Sequence, residues 1–398
     1  MKKALVLGMG ASGKAAARVL QKEGWELLCV DDKEPGWVTS SEVQSVKGFD
    51  LFVPAPGVPR THPLYVSALA EKLEIAGEME LALRHLKDHF CIAVTGTNGK
   101  TTVVKLIEHV LNCNGHSAVA LGNVGDVLID YLDRKKPGEI LVIEVSSFQL
   151  ETLHTKAFDV GLILNITEDH LYRYTSFTEY AQTKCHLERY LKSGGRLIVY
   201  EEVAKQFAKE FDLPYEVYRG EEIGEVKAAH DRENATAAYL AVKQWVSRES
   251  FCRALETFAK PAHRIEFVAC IGGVDYYNDS KATNVDAVVR ALEAMPSRVL
   301  LLAGGVDKGG TFAPLKAFKE KVKEIFAFGE SREKIVHELG GDFLVTRCEG
   351  MQEALERAKE RALDGEVVLL SPGCASFDAF KNYAHRGEEF KKFVNRRI

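Results

Sequence analysis

The chain predicts an α/β protein with three domains in series. These are an N-terminal Rossmann-like domain over 1–90, a central P-loop ATPase-like α/β domain over 91–260, and a C-terminal Rossmann-like α/β domain over 261–398. Three observations carry this reading. Short apolar strands alternate with helical stretches along 398 residues, a length too great for one ordinary core. Two glycine-bracketed strand-to-helix turns, Gly8–Gly13 and Gly96–Thr101, stand far apart, and three polar strand ends recur after Pro261. Composition agrees: 46% hydrophobic and 27% charged residues describe an ordinary globular protein, and 32 Gly against 11 Pro suits repeated strand-to-helix turns.

The first domain opens with a strand at Ala4–Leu7, a loop GMGASG, a helix through Leu20 and a second strand at Leu27–Val30. Gly8, Gly10 and Gly13 are spaced for a tight turn, close backbone approach to a pyrophosphate, and helix packing, while Asp31 takes the place of a ribose-reading acid. Alone, this fingerprint is weak, and an NAD-binding domain is its first alternative. The second phosphate loop favours a nucleotide-activated substrate used together with ATP.

That second loop, AVTGTNGKTT from Ala93 to Thr102, runs an apolar strand into a turn ending in Lys-Thr-Thr. Backbone N–H groups of Gly96, Thr97, Asn98, Gly99 and Thr102 can converge on a phosphate, Lys100 adds a mobile charge, and the Thr101 hydroxyl can ligate a phosphate-bound Mg²⁺. Only Thr97 and Asn98 separate the two glycines, so the usual four-residue spacing is absent. The plain alternative is a Gly- and Asn-rich corner. The helical pattern of Val103–Leu111 supplies the context a phosphate loop needs.

Further strands are predicted at Ile140–Val145, Val160–Ile166 and Arg196–Tyr200. Glu144 closes the apolar run ILVIEV, a poor place for a merely solvated carboxylate and a good one for holding Mg²⁺, with Ser146, Ser147 and Gln149 at the same rim. His170 ends the turn Thr167-Glu168-Asp169-His170. Imidazole is an unusual Mg²⁺ ligand, so a capped turn competes equally with a metal role. On residue chemistry alone, Lys184 reads as a surface lysine.

In the last domain, strands are expected at Val299–Leu302, Glu324–Phe328 and Val367–Leu370, with helices at Ala287–Ala294, Pro314–Lys323 and Met351–Ala362. NDSKATN (278–284), AGGVDKGG (303–310) and SPGCASFD (371–378) gather polar residues at strand ends. Ordinary turns are the alternative to a ligand face there.

A net charge of −5 gives no general attraction to nucleic acid or anionic membrane. The 8 cysteines are scattered singly, against a disulfide framework or zinc knuckle and in favour of a reducing compartment. Glycines interrupt the apolar N-terminus before signal-peptide length, and no stretch reaches transmembrane length. A cytoplasmic monomer without nucleic-acid partner or membrane insertion is expected.

Taken together, VTGTNGKTT, EVSSFQLE, NITEDH, HRIE, NDSKATN, GGVDKGG and SPGCASFDAFKNY resemble the Mur ligase family, in this order and over the whole chain. SSFQLE and NDSKATN are most similar to the member that adds D-glutamate. The resemblance implies ATP-dependent addition of D-glutamate to UDP-N-acetylmuramoyl-L-alanine in peptidoglycan precursor synthesis, through an acyl phosphate. It implies two Mg²⁺ sites, with Thr101 and Glu144 at the first and His170 at the second, and Lys184 carbamylated as an anionic ligand. Lys100, Glu144, His170 and Lys184 are thus the catalytic set. Asn234 corresponds to an adenine contact, and Arg264 with Asp279 to contacts on ATP phosphate and ribose. Gly10, Ala11, Ser12, Asp31, Asp32, Pro56, Gly57, Asn123, Ser146 and Gln149 correspond to the uridine-nucleotide substrate's surroundings. Thr283, Lys308, Ser376, Phe377 and Tyr383 correspond to the D-glutamate site. Ala55, Tyr172, Asp231 and Tyr383 depart from the family's usual residues, which bears on substrate contacts rather than on the reaction. With ATP ligands split between two domains, closure about a hinge near Lys260–His263 is expected to exclude water from the acyl phosphate.

Overall fold

A computed structural model describes residues 1–123, 126–226 and 228–396. Three sheets follow one another along the chain. The first contains β1 (Lys3–Leu7), β2 (Glu26–Val30), β3 (Leu51–Pro54) and β4 (Glu74–Ile75), all parallel in the order β2-β1-β3-β4. The second contains β5 (Cys91–Thr95), β6 (Ala118–Gly122), β7 (Ile140–Glu144), β8 (Phe158–Ile163), β9 (Leu191–Tyr200) and β10 (Tyr215–Tyr218), parallel in the order β10-β9-β8-β5-β7-β6. Its central strands CIAVT and ILVIE are buried throughout, as parallel strands covered by helices on both faces must be.

The third sheet contains β11 (Glu266–Ile271), β12 (Val274–Asn278), β13 (Val299–Gly304), β14 (Val322–Phe328), β15 (Val345–Arg347) and β16 (Val367–Leu370), ordered β11-β12-β16-β13-β14-β15. Only the β11–β12 pair is antiparallel. Alternation along β13 divides its side chains between two cores. Val299, Leu301 and Ala303 pack with Leu292, Phe312 and Ile335, whereas Leu300 and Leu302 pack with Leu355 and Phe390.

These sheets form two compact units. The first two sheets share one, Met1–Ile166 with Thr178–Phe258, and the third sheet makes the other with Thr167–Phe177 and the chain from Ala259. Buried carboxylates help to join the first two sheets. On the helix Glu78–Arg84, Glu78 Oε1 accepts the Ile129 N–H at 2.6 Å. Glu80 accepts the N–H groups of His154 and Thr155 at 2.8 and 3.0 Å and is paired with Arg84 at 2.9 Å. Each carboxylate therefore satisfies backbone donors of the central layer, which would otherwise be buried without partners.

Two predicted elements are corrected. The helix expected at Pro314–Lys323 is a 3₁₀ turn over Ala313–Phe318, and β14 already begins at Val322. Val322 pairs with Val299 and is almost fully buried, so sheet pairing takes a residue that local helical pattern assigned elsewhere. The strand predicted at Val160–Ile166 lies at Phe158–Ile163, because Asn165 turns away to serve a loop.

Burial raises the Glu78 carboxyl from 4.5 to about 7, partly offset by the Ile129 N–H. The native state therefore holds this proton more tightly than the unfolded chain. Its contribution to stability is complete below about pH 4.5 and is lost as pH rises toward 7. Glu78→Gln keeps the acceptor and removes the charge. It should raise the thermal midpoint at about pH 8 by the equivalent of roughly 3 kcal/mol, with no gain at about pH 4, in paired scanning calorimetry runs.

Candidate functional site

At the carboxyl edge of the second sheet, β5 feeds a loop that needs its two glycines. Gly96 has φ +147, and a Cβ there would lie 2.9 Å from the Leu164 Cβ; Gly99 has φ +90, and a Cβ there would lie 2.5 Å from Asn234 Oδ1. Asn165 braces the loop by accepting the Thr97 N–H at its carbonyl (2.7 Å) and the Asn98 N–H at Oδ1 (2.8 Å), while donating to the Asn98 carbonyl (3.0 Å). Tyr180 completes the brace through its hydroxyl, 3.0 Å from Thr97 Oγ1. The helix Lys100–Cys113 starts directly at Gly99, so its N-terminal dipole faces the loop.

Two ammonium groups meet one carbonyl there. Lys100 Nζ donates to the carbonyls of Gly96 and Thr97, each at 2.8 Å, and Lys184 Nζ donates to the same Gly96 carbonyl at 2.8 Å. Lys184, on the helix Phe177–Cys185, is 2% exposed and lies over the Tyr180 ring at 4.8 Å, so it is buried against the loop and is not the surface lysine that residue chemistry alone suggests. Positive charge, a helix N-terminus and backbone donors are thereby concentrated at one turn, which suits a polyphosphate.

Glu144 joins this loop. Its Oε2 accepts from the Thr101 hydroxyl at 2.8 Å and its Oε1 from Asn123 Nδ2 at 3.0 Å, and it is 2% exposed. A hydroxyl and a carboxylate oxygen side by side are hard donors that fit Mg²⁺. No cluster of three His, Cys, Asp or Glu side chains capable of holding a metal occurs among the described residues. Such a sparse donor set matches Mg²⁺ held partly by nucleotide phosphates and water better than a closed protein cage. Lys184 as an ammonium is a donor and not a ligand; only carbamylation gives it ligand oxygens. Ser146 and Gln149 are joined as a capping box at the helix following β7, with Ser146 N–H donating to Gln149 Oε1 at 2.9 Å.

In the first sheet, Gly8 (φ +92) abuts the turn Ala55–Gly57, since a Cβ on Gly8 would lie 2.8 Å from the Ala55 Cβ. A Cβ on Gly13 would lie 1.9 Å from the Gly8 carbonyl oxygen, so helix packing requires this glycine, whereas one on Gly10 or Gly57 would meet nothing within 4 Å. That open space flanks Ala11 and Ser12, at the start of the helix Ala11–Lys22, and Pro56. Asp31 accepts from the N–H groups of Met9, Lys33 and Glu34, and Asp32 from Ser40 N–H and its hydroxyl, with His62 Nε2 at 3.1 Å. Backbone donors hold both carboxyls below the usual carboxylate range. The two acids thus shape the loop rim in this structure.

The second unit gathers the remaining residues. Asp169 and Lys308 pair at 3.2 Å, Asn284 Nδ2 donates to Asp169 at 3.0 Å, and Lys308 reaches Thr283 Oγ1 at 3.2 Å. Burial alone would raise the Asp169 carboxyl, but Lys308 and His170 together hold it below the usual range. A cavity of about 300 Å³ opens beside this pair, lined by Asn284, Val289, Thr311 and Phe312 among others. His170 belongs to this unit, has φ +56, and lies 3.1 Å from the Tyr172 hydroxyl through Nδ1. Ser376 is buried, Phe377 is 73% exposed, and the Tyr383 ring carries Lys281 Nζ at 3.8 Å. Asp279 is buried, accepting from Ser371 Oγ at 2.8 Å and the Ile265 N–H at 3.2 Å; desolvation raises its carboxyl to about 7 against those bonds and the nearby Arg264 charge.

Sequence reading missed Arg386. This fully buried guanidinium, on the helix Tyr383–Asn395, donates to Ser280 Oγ and carbonyl (2.9 Å each), to the Cys374 carbonyl (3.0 Å), and to those of Gly304 and Ala375 (3.4 Å each). It therefore ties together the three polar strand ends. No local pattern marks it, because its partners, the Ser280 hydroxyl and four backbone carbonyls, come from three other segments of the chain. Asn165 and Tyr180 carry no local mark either, since their partners in the loop lie 67 and 83 residues away.

Residues 94–244 match the Mur ligase middle domain, and 263–374 match the Mur ligase glutamate ligase domain. The chain is 41% identical to the UDP-N-acetylmuramoylalanine–D-glutamate ligase of Protochlamydia amoebophila, over 99% of this chain and 98% of that protein. It is 35% identical to the protein of the same name from Caldicellulosiruptor bescii, over 99% and 97%. Among solved structures it resembles the UDP-N-acetylmuramate–alanine ligase of Thermotoga maritima (TM-score 0.61, 17% identity, 99% of each chain). It also resembles the MurF ligase of T. maritima in complex with ADP (TM-score 0.61, 14% identity, 100% and 96%). At such identities the structures speak for the fold.

Removing the guanidinium in Arg386→Ala leaves a cavity and five hydrogen bonds unmade. It should destabilise the second unit by roughly 4 kcal/mol in urea unfolding, with Arg386→Lys falling between it and wild type.

Proposed function

The chain belongs to the Mur ligase family, and on that premise we infer that it is an ATP-dependent ligase that adds D-glutamate to UDP-N-acetylmuramoyl-L-alanine in peptidoglycan precursor synthesis. The observation that carries the reaction class is the meeting of Lys100, Thr101, Glu144 and Lys184 at one glycine-bracketed loop. The amino acid is supported by the names of the full-length relatives.

In this reading the carboxylate of the lactoyl-alanine substrate attacks the γ-phosphorus of ATP, the bond to the β-phosphate oxygen breaks, and ADP leaves an acyl phosphate. The D-glutamate amine then attacks the acyl carbon, loses a proton, and the tetrahedral intermediate expels inorganic phosphate. The loop N–H groups and Lys100 hold the triphosphate and offset its charge. Mg²⁺, when bound, supplies further neutralisation of the phosphate oxygens; Thr101 and Glu144 are the residues to hold it, with His170 and a carbamylated Lys184 assigned to a second ion. Asn234, packed against Gly99, is assigned to the adenine, and Arg264 with Asp279 to the phosphate and ribose. The space at Gly10 and Gly57, with Ala11, Ser12, Asp31, Asp32 and Pro56, is assigned to the uridine nucleotide, and Asn123, Ser146 and Gln149 to its muramoyl end. Lys308, Thr283, Ser376, Phe377 and Tyr383 are assigned to D-glutamate. By this division the segments 1–90, 91–260 and 261–398 act as uridine-nucleotide, ATP and amino-acid domains. No helix among the described residues is long and apolar enough to cross a membrane. A monomer working in the cytoplasm, where its nucleotide substrates are found, fits this chemistry.

Purified protein should release phosphate from ATP only when UDP-N-acetylmuramoyl-L-alanine and D-glutamate are both present, and L-alanine, L-lysine or meso-diaminopimelate should not replace D-glutamate. Release without either co-substrate, or with the wrong amino acid, contradicts the reading. Arg264→Ala should stay folded but lose at least about a hundredfold in turnover, the scale for removing one group that stabilises transferring phosphate. Depleting CO₂ should lower activity and bicarbonate should restore it if Lys184 works as a carbamate.

A further inference from the structure

Arg264 sits between two residues whose backbones are left-handed: His263 has φ 63 and Ile265 has φ 47. Neither is a glycine, and Ile265 is β-branched, for which this region is a true outlier. Such strain persists only where surrounding contacts over-determine it, and here they can be named.

Asn278, at the end of β12 and 0% exposed, is the centre of those contacts. Its Nδ2 donates to His263 Nδ1 at 2.9 Å and to Glu266 Oε2 at 3.0 Å, and Glu266 Oε2 also accepts the His263 N–H at 2.9 Å. The neighbouring residues of the same strand end finish the clamp. Asp279 Oδ1 accepts the Ile265 N–H at 3.2 Å, and the Lys281 N–H donates to the His263 carbonyl at 3.1 Å. From the opposite side, Gly387 admits the imidazole: a Cβ there would lie 2.3 Å from His263 Nδ1. His263 is 6% exposed, so its ring and both flanking peptide groups are held from all sides.

We propose that Asn278 is a positioning residue for the ligation reaction, holding the strained His263–Ile265 backbone so that the Arg264 guanidinium is presented for ATP phosphate before ATP arrives. The proposal rests on the assignment of Arg264 to ATP. Its physical content is pre-organisation: the backbone strain is met by folding the second unit, so nucleotide binding need not supply it. Asn278 is fully buried, so it acts through Arg264 rather than on substrate.

The chemistry of the clamp yields a distinctive test. Asn278 Nδ2 requires His263 Nδ1 to be an unprotonated acceptor, and burial lowers the His263 pKa in keeping with this, against the attraction of Glu266 and Glu388 and with Lys391 and Lys281 assisting. Tyr383 packs edge-on at 6.2 Å between ring centroids. In Asn278→Asp, a carboxylate oxygen replaces Nδ2 and faces both the His263 lone pair and the Glu266 carboxylate. Protonation of His263 restores an attractive contact. Asn278→Ala has no such route.

Steady-state kinetics of the full chain with all three substrates, thermal midpoints, and calorimetric binding of a non-hydrolysable ATP analogue decide the matter. Both variants are expected to bind the analogue more weakly and to lose kcat/KM for ATP on the order of tenfold or more at about pH 8, with KM for D-glutamate within about twofold of wild type. Asn278→Asp should recover most of its loss between about pH 8 and pH 6 relative to wild type, and Asn278→Ala should not. The proposal is overturned if folded Asn278→Ala retains wild-type ATP parameters, if all three substrates suffer alike, or if both variants share one pH profile. Failure of the ligase assignment would show separately, as a wild-type protein that binds the analogue without ligating.

Discussion

The Gly96 carbonyl is the point on which the central layer is organised. Two ammonium groups from different helices donate to it, and the loop that carries it is closed by glycines whose φ values other residues adopt only with strain. Everything nearby serves that turn. Asn165 and Tyr180 fix its backbone, Glu144 fixes Thr101 at the start of the following helix, and Asn123 fixes Glu144. Gathering like charges around a neutral oxygen is costly in a folded protein unless an anion offsets them, so the arrangement suits a phosphate.

Buried ionic and polar groups play a second part, in joining layers. Glu78 and Glu80 reach from the first sheet's helix into the backbone of the central layer, and Arg386 reaches from the last helix to three loop segments of the third sheet. In both cases a side chain substitutes for the backbone partners that loops lack. Such groups stabilise less through net attraction than through the large penalty for leaving their partners unpaired, which makes the loop geometry specific.

The second unit uses the same logic for strain. Asn278, Asp279 and Lys281 take the polar groups of the left-handed pair flanking Arg264, so one strand end both completes the sheet and orients an arginine. Asp169, Asn284 and Lys308 form a comparable knot beside the cavity lined by Phe312. The three polar strand ends after Pro261 are joined by buried hydrogen bonds through Arg386.

Much of this was legible in the residues themselves. Strand-turn-helix order, the glycines of both loops and Glu144 ending a buried strand follow from local rules, because apolar periodicity and positive φ are written into short windows. What local windows lack is the identity of distant partners. Burial of Lys184 against the Gly96 carbonyl, the backbone duties of Asp31 and Asp32, the shortening of the Pro314 helix by β14, and the reach of Arg386 and Asn278 all depend on segments far away in the chain. Sequence alone determined the α/β class and the glycine-bracketed turn that follows β5. Tertiary structure decided which carboxylates and cations are buried and what they hold, since desolvation and hydrogen-bond partnership exist only once the layers have packed.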